Sequence, residues 1–263
     1  MALQFRGMCV IALVLYALSF SVSAADAAPE SPVQTPVFVG GEGGYDTYRI
    51  PALAVSMKGT VLAFCEGRKN GKGDSGDIDL LLRRSLDNGQ TWQPAQVLVN
   101  DGENTCGNPC PIVDRKTGDI VLLITKNNGN EKESQIMKGE AAPRTVWRLR
   151  STDDGVTWSG PENISPQTRK PDWRWYATGP CHGIQLSNGR LVAPCDHSTG
   201  PEKEDMHSHV IFSDDGGTSW RIGGELEGRT DESTVLELGD GSLYLNARRS
   251  EERRVGKECR SRW

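Results

Sequence analysis

Beyond its first 24 residues the chain has no long apolar run, and nothing in it approaches the roughly 20 apolar residues that a membrane-spanning helix needs. Surplus positive charge is missing too: 30 Lys and Arg stand against 35 Asp and Glu, a formal net charge of −5. Setting aside the +1 of residues 1–24 and the +3 of residues 249–263 takes that value to −9. Such a chain has no electrostatic footprint for nucleic acid. No segment shows a helical apolar period, which speaks against an α-helical or α/β fold. Histidine is scarce, at four residues (His182, His197, His207 and His209), and no carboxylate cluster sits at matching spacing, so satisfied loop histidines are expected rather than metal ligands. The short Cys106–Cys110 spacing lacks the partner ligands of a zinc site.

The first 24 residues do have a design. Arg6 provides a positive start, Met8 to Phe20 is almost wholly apolar, and Val22-Ser23-Ala24 offers small residues for cleavage. This is the pattern of a secretory signal peptide, and it predicts a secreted or periplasmic product. Ala25–Pro36 reads as a loose linker. Leaving out Cys9 and Cys259, five cysteines remain, so at least one thiol is free. Cys106 and Cys110 either bridge or are simply small buried groups.

Two signals then repeat in phase. A glycine turn followed by an apolar strand occurs at Gly59, Gly118, Gly189 and Gly241. An octet of the form S-x-D-x-G-x-[TS]-W occurs at Ser85–Trp92, Ser151–Trp158 and Ser213–Trp220, following the first three turns by 26, 33 and 24 residues. Short strands with Gly, Asn and Asp turns at regular spacing predict an all-β fold, and a period near 60 residues predicts repeated four-stranded units. The octet is turn chemistry: its Asp and Ser bond to local backbone, its Gly takes a positive φ, and its Trp is expected to pack into the blade. Asp87, Asp153 and Asp215 are therefore staples at the blade rims, away from any site.

These octets are Asp boxes. Together with Tyr48-Arg49-Ile50-Pro51 and the stretch Glu66–Trp92, they make residues 38–248 resemble an exo-acting, non-viral sialidase. The resemblance implies a six-bladed β-propeller, present here as about three to four blades over residues 37–248. It also implies retaining hydrolysis of terminal sialic acid from glycoproteins, glycolipids or oligosaccharides, with no cofactor and no metal. The competing reading is a non-catalytic Asp-box propeller that binds glycans or proteins.

A sialic acid carries a carboxylate on its anomeric carbon, and guanidinium forks match it. By resemblance Arg49 and Arg248 belong to the carboxylate-binding set, Arg68 is a further site arginine, and Asn108 of Asn108–Pro111 contacts substrate. Leaving-group protonation needs a carboxyl on an exposed loop. The match is Asp74 in the loop Lys69–Asp77, with Asp77 and Asp79 as rivals and Asp79 read as structural. The family uses a Tyr nucleophile activated by a Glu, in place of an attacking carboxylate. Glu232 matches that Glu, with Asp231 as its rival. Glu131 and Glu133 lie on an irregular polar insertion that borders the pocket.

The third arginine and the Tyr nucleophile have no match, because no tyrosine follows Tyr244, which lies within a strand. Residues 249–263 are strongly basic, follow no blade pattern, and resemble read-through into a sequencing adapter; a natural basic tail is the other possibility. This tail is expected to be irregular and the chain inactive. Continuing the spacing, a fourth Asp box would begin between residues 265 and 274.

Overall fold

A computed structural model describes residues 34–249 and 259–261; the leader and nearly all of the linker lie outside the described residues. The strands group by chain order into four antiparallel units. The first holds β1 (Thr47–Val55), β2 (Val61–Arg68), β3 (Ile78–Ser85) and β4 (Gln96–Val99). The second holds β5 (Thr105–Val113), β6 (Ile120–Asn127), β7 (Thr145–Ser151) and β8 (Glu162–Asn163). In the third, β9 (Tyr176–Thr178) and β10 (Ile184–Gln185) both pair with β11 (Leu191–Ser198), followed by β12 (Met206–Ser213) and β13 (Arg221–Glu225). β14 (Thr230–Glu237) and β15 (Leu243–Arg249) open the fourth. The units are β-propeller blades, as the repeated glycine turns predict; a single parallel pair, Ile78 with Thr105, joins the first two.

The tail departs from expectation. Cys259–Ser261, β16, pairs antiparallel with Leu243–Leu245 of β15. An edge strand presents unpaired N–H and C=O groups, and the tail backbone satisfies them whatever its side-chain pattern. The rest of residues 250–263 lies outside the described set.

Middle strands are buried on both faces, which is why they read as continuous apolar runs without alternation. In β6, Ile120, Leu122 and Ile124 face a core shared with Leu62, Phe64, Leu80 and Leu82 of the first blade. The intervening Val121 and Leu123 face a core shared with Leu191, Ala193 and Ile211 of the third. Val192 in turn packs with Val235, Leu243 and Leu245 of the fourth. Each blade is thus held by its neighbours.

The Asp boxes are near-identical copies. Ser85 donates to Asp87 (2.7 Å), Gly89 N–H donates to Ser85 (2.8 Å), and the Thr91 hydroxyl donates to Asp87 (2.5 Å). Ser151, Asp153, Gly155 and Thr157 repeat this arrangement, as do Ser213, Asp215, Gly217 and Ser219. Hydrogen bonds from Thr91 and Thr157 hold Asp87 and Asp153 at pKa values of about 2. For Asp215 burial pushes upward, but bonds from Ser219 and Ser213 outweigh it and again give about 2.

The boxes also clamp one blade to the next. Asp154 accepts from Thr60 (2.6 Å) and Arg84 (3.2 Å) of the first blade, while Gly216 and Gly217 carbonyls accept from Arg150 (2.7 Å) and Arg148 (2.6 Å) of the second. The box tryptophans follow: Trp158 meets Phe64 of the preceding blade edge-on at 5.8 Å, and Trp220 is buried in the core between the second and third blades. They pack between blades rather than within one.

Candidate active site

Each blade's innermost strand is broken at a corresponding place. Register shifts fall between Arg49 and Ala52, between Gly107 and Cys110, and between Thr230 and Ser233, while the third blade's inner strand is interrupted between β9 and β10. In three blades a positive-φ residue precedes a proline: Ile50 (55°) before Pro51, Asn108 (55°) before Pro109, and Gly179 (77°) before Pro180. Proline has no N–H for the ladder and sits at bulges, where the strand re-aims its side chains. A β-branched residue such as Ile50 held in the left-handed region is strained, and strain of this kind marks functional positions. The expected site residues Arg49, Asn108 and Glu232 all sit at these breaks. They lie at the end of the blades opposite the Asp boxes; β3 alone, eight residues long, puts about 20 Å between the acid loop and Ser85.

In the first blade, Arg49, Arg68 and Asp74 come together. One oxygen of Asp74 accepts from Nη1 of Arg49 (2.6 Å) and from Nη1 of Arg68 (2.8 Å). Arg49 is reachable, its side chain 42% exposed, and Asp74 stands out at 68%. Arg68 is not reachable. Its side chain is 3% exposed, Nε and Nη2 donate to Glu66 (3.0 and 2.5 Å), and Nη1 also holds the carbonyls of Lys72 and Gly73 (2.7 and 2.8 Å). It anchors the acid loop from beneath, so the structure places it behind the site rather than on a substrate-facing wall. The other two aspartates are engaged elsewhere: Asp79 is buried and accepts from Tyr45 (2.7 Å) and Asn100 (3.1 Å), and Asp77 pairs with Lys69 (2.9 Å).

Asn108 is likewise a brace in the floor. Its N–H donates to Glu66 (3.0 Å), its side-chain oxygen accepts from Arg144 (2.8 Å), and its carbonyl accepts from Thr178 (2.6 Å), tying three blades together. Arg144 is buried, stacks over the Trp175 ring at 4.3 Å, and has its pKa lowered by desolvation. Cys106 and Cys110 are free, buried thiols, not a bridge.

In the fourth blade, Glu232 and Arg248 pair at 2.6 Å across β14 and β15. Hydrogen bonding to Glu232 raises the pKa of Arg248. Asp231, the rival, turns inward: its carboxylate accepts from the N–H of Glu232 (2.9 Å), and burial raises its pKa. Glu133 lies within electrostatic reach of both groups. The insertion carrying it is more ordered than expected, forming a short helix α1 (Glu133–Met137) pinned by Ile136 and Met137 against Trp175 and Met206. Glu133 is exposed at the surface, yet partial desolvation by the atoms around it raises its pKa, and the charges of Asp231, Asp74 and Glu232 add to the shift. Glu133 therefore feels the acid loop of the first blade and the Glu232 pair of the fourth at once.

Three further residues escaped the sequence reading. Glu66 lies two positions before Arg68 on the same strand face, a period-two signal that was legible. Arg144 lies between Pro143 and the first residue of β7. Asp196 is fully buried in β11, neither carboxylate oxygen has a hydrogen-bond partner, and burial pushes its pKa well up. Of the histidines only His182 is a loop residue: His207 lies in β12, and His197 and His209 are buried in β11 and β12, joined Nδ1 to Nδ1 at 3.0 Å. Among the described residues no group of three or more His, Cys, Asp or Glu is placed to hold a metal ion.

Repeated boxes on blade rims and converging ion pairs at the opposite end match a known group: residues 59–262 fit the BNR repeat-like domain family. The chain belongs to that family. This BNR repeat-like chain is 31% identical over 227 residues to an exo-alpha-sialidase of Aspergillus fumigatus, covering 79% of this chain and 53% of that one. It is 35% identical over 227 residues to Sialidase-3 of Bos taurus, covering 77% and 52%. Among solved structures it resembles a Hadza microbial sialidase, with TM-score 0.73, 32% identity, 80% of this chain and 44% of that one. The chain spans about half the length of the curated relatives it matches. Among the described residues no helix is long and apolar enough to cross a membrane.

Proposed function

We propose that the site is that of an exo-α-sialidase acting with retention on terminal sialic acid of sialylated glycoconjugates. The observation that carries this reading is the pairing of two charge groups at one end of the blades: Arg49 with Asp74 in the first blade and Glu232 with Arg248 in the fourth. Arg49 and Arg248 receive the substrate carboxylate. Asp74, on an exposed glycine-rich loop, protonates the departing oxygen. Glu232, fixed by Arg248, is the base for a tyrosine nucleophile, which avoids driving one carboxylate onto a carbon that bears another. Glu133 and Asp231 add acidic groups beside these pairs, and this suits the hydroxyl and amide donors of the sugar. The names of the relatives support the substrate class, and the N-terminal pattern supports export to the periplasm or medium.

Within these 263 residues neither the third arginine nor the tyrosine has a match. The expected behaviour of the chain as given is therefore binding without turnover. Calorimetric titration with free sialic acid should show binding that Arg49→Ala and Arg248→Ala each weaken about tenfold or more, as expected for loss of a charge-assisted hydrogen bond to an anion. An aryl sialoside should not be hydrolysed. Absence of binding in the parent chain would sink the reading, and robust turnover would overturn the missing-nucleophile argument.

A further inference from the structure

We propose that Asp74 is an internal ligand of the carboxylate-binding arginine: its own carboxylate fills the guanidinium site, and an incoming substrate carboxylate enters by displacing it. The inference rests on the sialic-acid reading above and deepens it, because it assigns the acid residue a second task before any chemistry begins.

The geometry is asymmetric between the two arginines. Both converge on Asp74 Oδ1, Arg49 at 2.6 Å and Arg68 at 2.8 Å, as guanidinium groups converge on a substrate anion. Arg68 is immobilised. Its side chain is 3% exposed and all three of its nitrogens are engaged, with Glu66 and with the Lys72 and Gly73 carbonyls in addition to Asp74. Arg49 is the exchangeable partner. Its side chain is 42% exposed, and the hydrogen bonds it donates, to Asp74 and to the Lys72 carbonyl (3.2 Å), both leave from Nη1. A fork is satisfied by two parallel bonds to one carboxylate, and Asp74 takes a single tine of it. A sugar carboxylate engaging both tines of Arg49 must compete for the position Asp74 holds.

The contact is also built to be lost. Asp74 is 68% exposed, and ion pairs that open to solvent are weak and exchange readily. Its loop contains Gly71, Gly73 and Gly76, with φ of +95° at Gly71 and +137° at Gly76, conformations in which glycine moves without the cost other residues bear. One carboxylate replaces another at Arg49, so the guanidinium never stands without an anion during the exchange. The displaced Asp74, now held by Arg68 alone and open to solvent, takes up a proton from water and then delivers it to the glycosidic oxygen. Binding and acid delivery are coupled by one exchange of partners.

Titration of the full chain with free sialic acid, and with its methyl ester as a probe lacking the carboxylate, tests this. Asp74→Asn keeps the shape and removes the competing anion. It should bind sialic acid about two- to fivefold tighter, the scale of an exposed ion pair, and leave methyl ester affinity unchanged. Asp46→Asn removes the same charge beside the loop, its carboxylate lying 4.0 Å from the position a side chain would take at Gly71; it should shift affinity by less than about 1.5-fold because screening by water and salt mutes charges not in contact. Equal or weaker binding by Asp74→Asn overturns the inference while leaving the sialic-acid reading in place. An equal gain in Asp46→Asn also overturns it, by showing a general charge effect. No binding of sialic acid by the parent or by either variant defeats the sialic-acid reading itself, and the inference falls with it.

Discussion

The two ends of the blades are built on opposite principles. At the Asp-box end, the bonds that shape each turn span two to four residues, and three copies agree to within a few tenths of an ångström. At the other end the strand breaks correspond but the side chains around them differ from blade to blade, and the decisive contacts are distant in sequence: Arg49 to Asp74 spans 25 positions, Asn108 to Glu66 spans 42, and Thr178 to Asn108 spans 70. Local chemistry repeats wherever its octet repeats. A pocket made by apposing blades has no such template and can differ at every strand, which is what allows one end to be scaffold and the other to be specific.

The most severe way to break this division is at the buried pair of the site end. Arg68→Ala leaves Glu66, 3% exposed, without its charge partner, and should cost about 3–5 kcal/mol in urea unfolding. A loss under 1 kcal/mol would mean that the acid loop does not depend on this anchor.

The box end is local in its turn but tertiary in its docking, and two glycines separate those contributions. Gly155 and Gly89 hold equivalent box positions with φ of +77° and +85°. A methyl group on Gly155 would lie 2.4 Å from Leu62 of the preceding blade, whereas at Gly89 the nearest atom is Trp92 of its own box at 3.8 Å. Gly89→Ala should therefore cost about 1–2 kcal/mol for the left-handed backbone alone. Gly155→Ala adds overpacking of about 1–3 kcal/mol. Equal destabilisation of the two would show that the box does not clamp blades together.

Acid titration distinguishes the turn chemistry from the buried polar interior. His197 and His209 are held neutral, at pKa values of about 2 and about 3, first of all by burial; neighbouring cations act in the same direction. Their folded pKa values lie below the unfolded value near 6.5, so the unfolded chain binds more protons and stability falls as pH drops below about 6.5. The loss should reach about 2 kcal/mol per histidine by pH 5. The box aspartates, with folded pKa values of about 2, contribute stability that is present above an unfolded value near 3.8 and is lost only as pH falls from there toward 2. His209→Asn should flatten the urea-midpoint slope between pH 6.5 and pH 5 and leave the slope below pH 4 intact. An unchanged upper slope would mean the histidines do not control it.

How much of this was legible in residues alone follows the same division. Ser, Asp, Gly and Thr at fixed offsets close a turn by themselves, so the three boxes, the four glycine turns and the all-β repeat were readable without coordinates. So were Arg49, Asp74, Glu232 and Arg248 as individual candidates, because their motifs are short. How enclosed Arg68 and Asn108 are was not legible, because accessibility depends on what lies behind a residue: Glu66 and Arg144, 2 and 36 positions away, engage their donors and acceptors. The tail strand Cys259–Ser261 was invisible because an open edge recruits backbone, which every sequence has.

The sequence by itself determined the repeat unit, the turn chemistry and the continuous apolar middle strands, since these arise from interactions over a few residues and from burial on both faces. Only the tertiary structure decided which blade receives each Asp box, which arginine stays reachable, and where the carboxylate of Asp74 rests. Those outcomes depend on side chains from different blades meeting in one volume, where desolvation and charge pairing act over distances that no sequence spacing encodes.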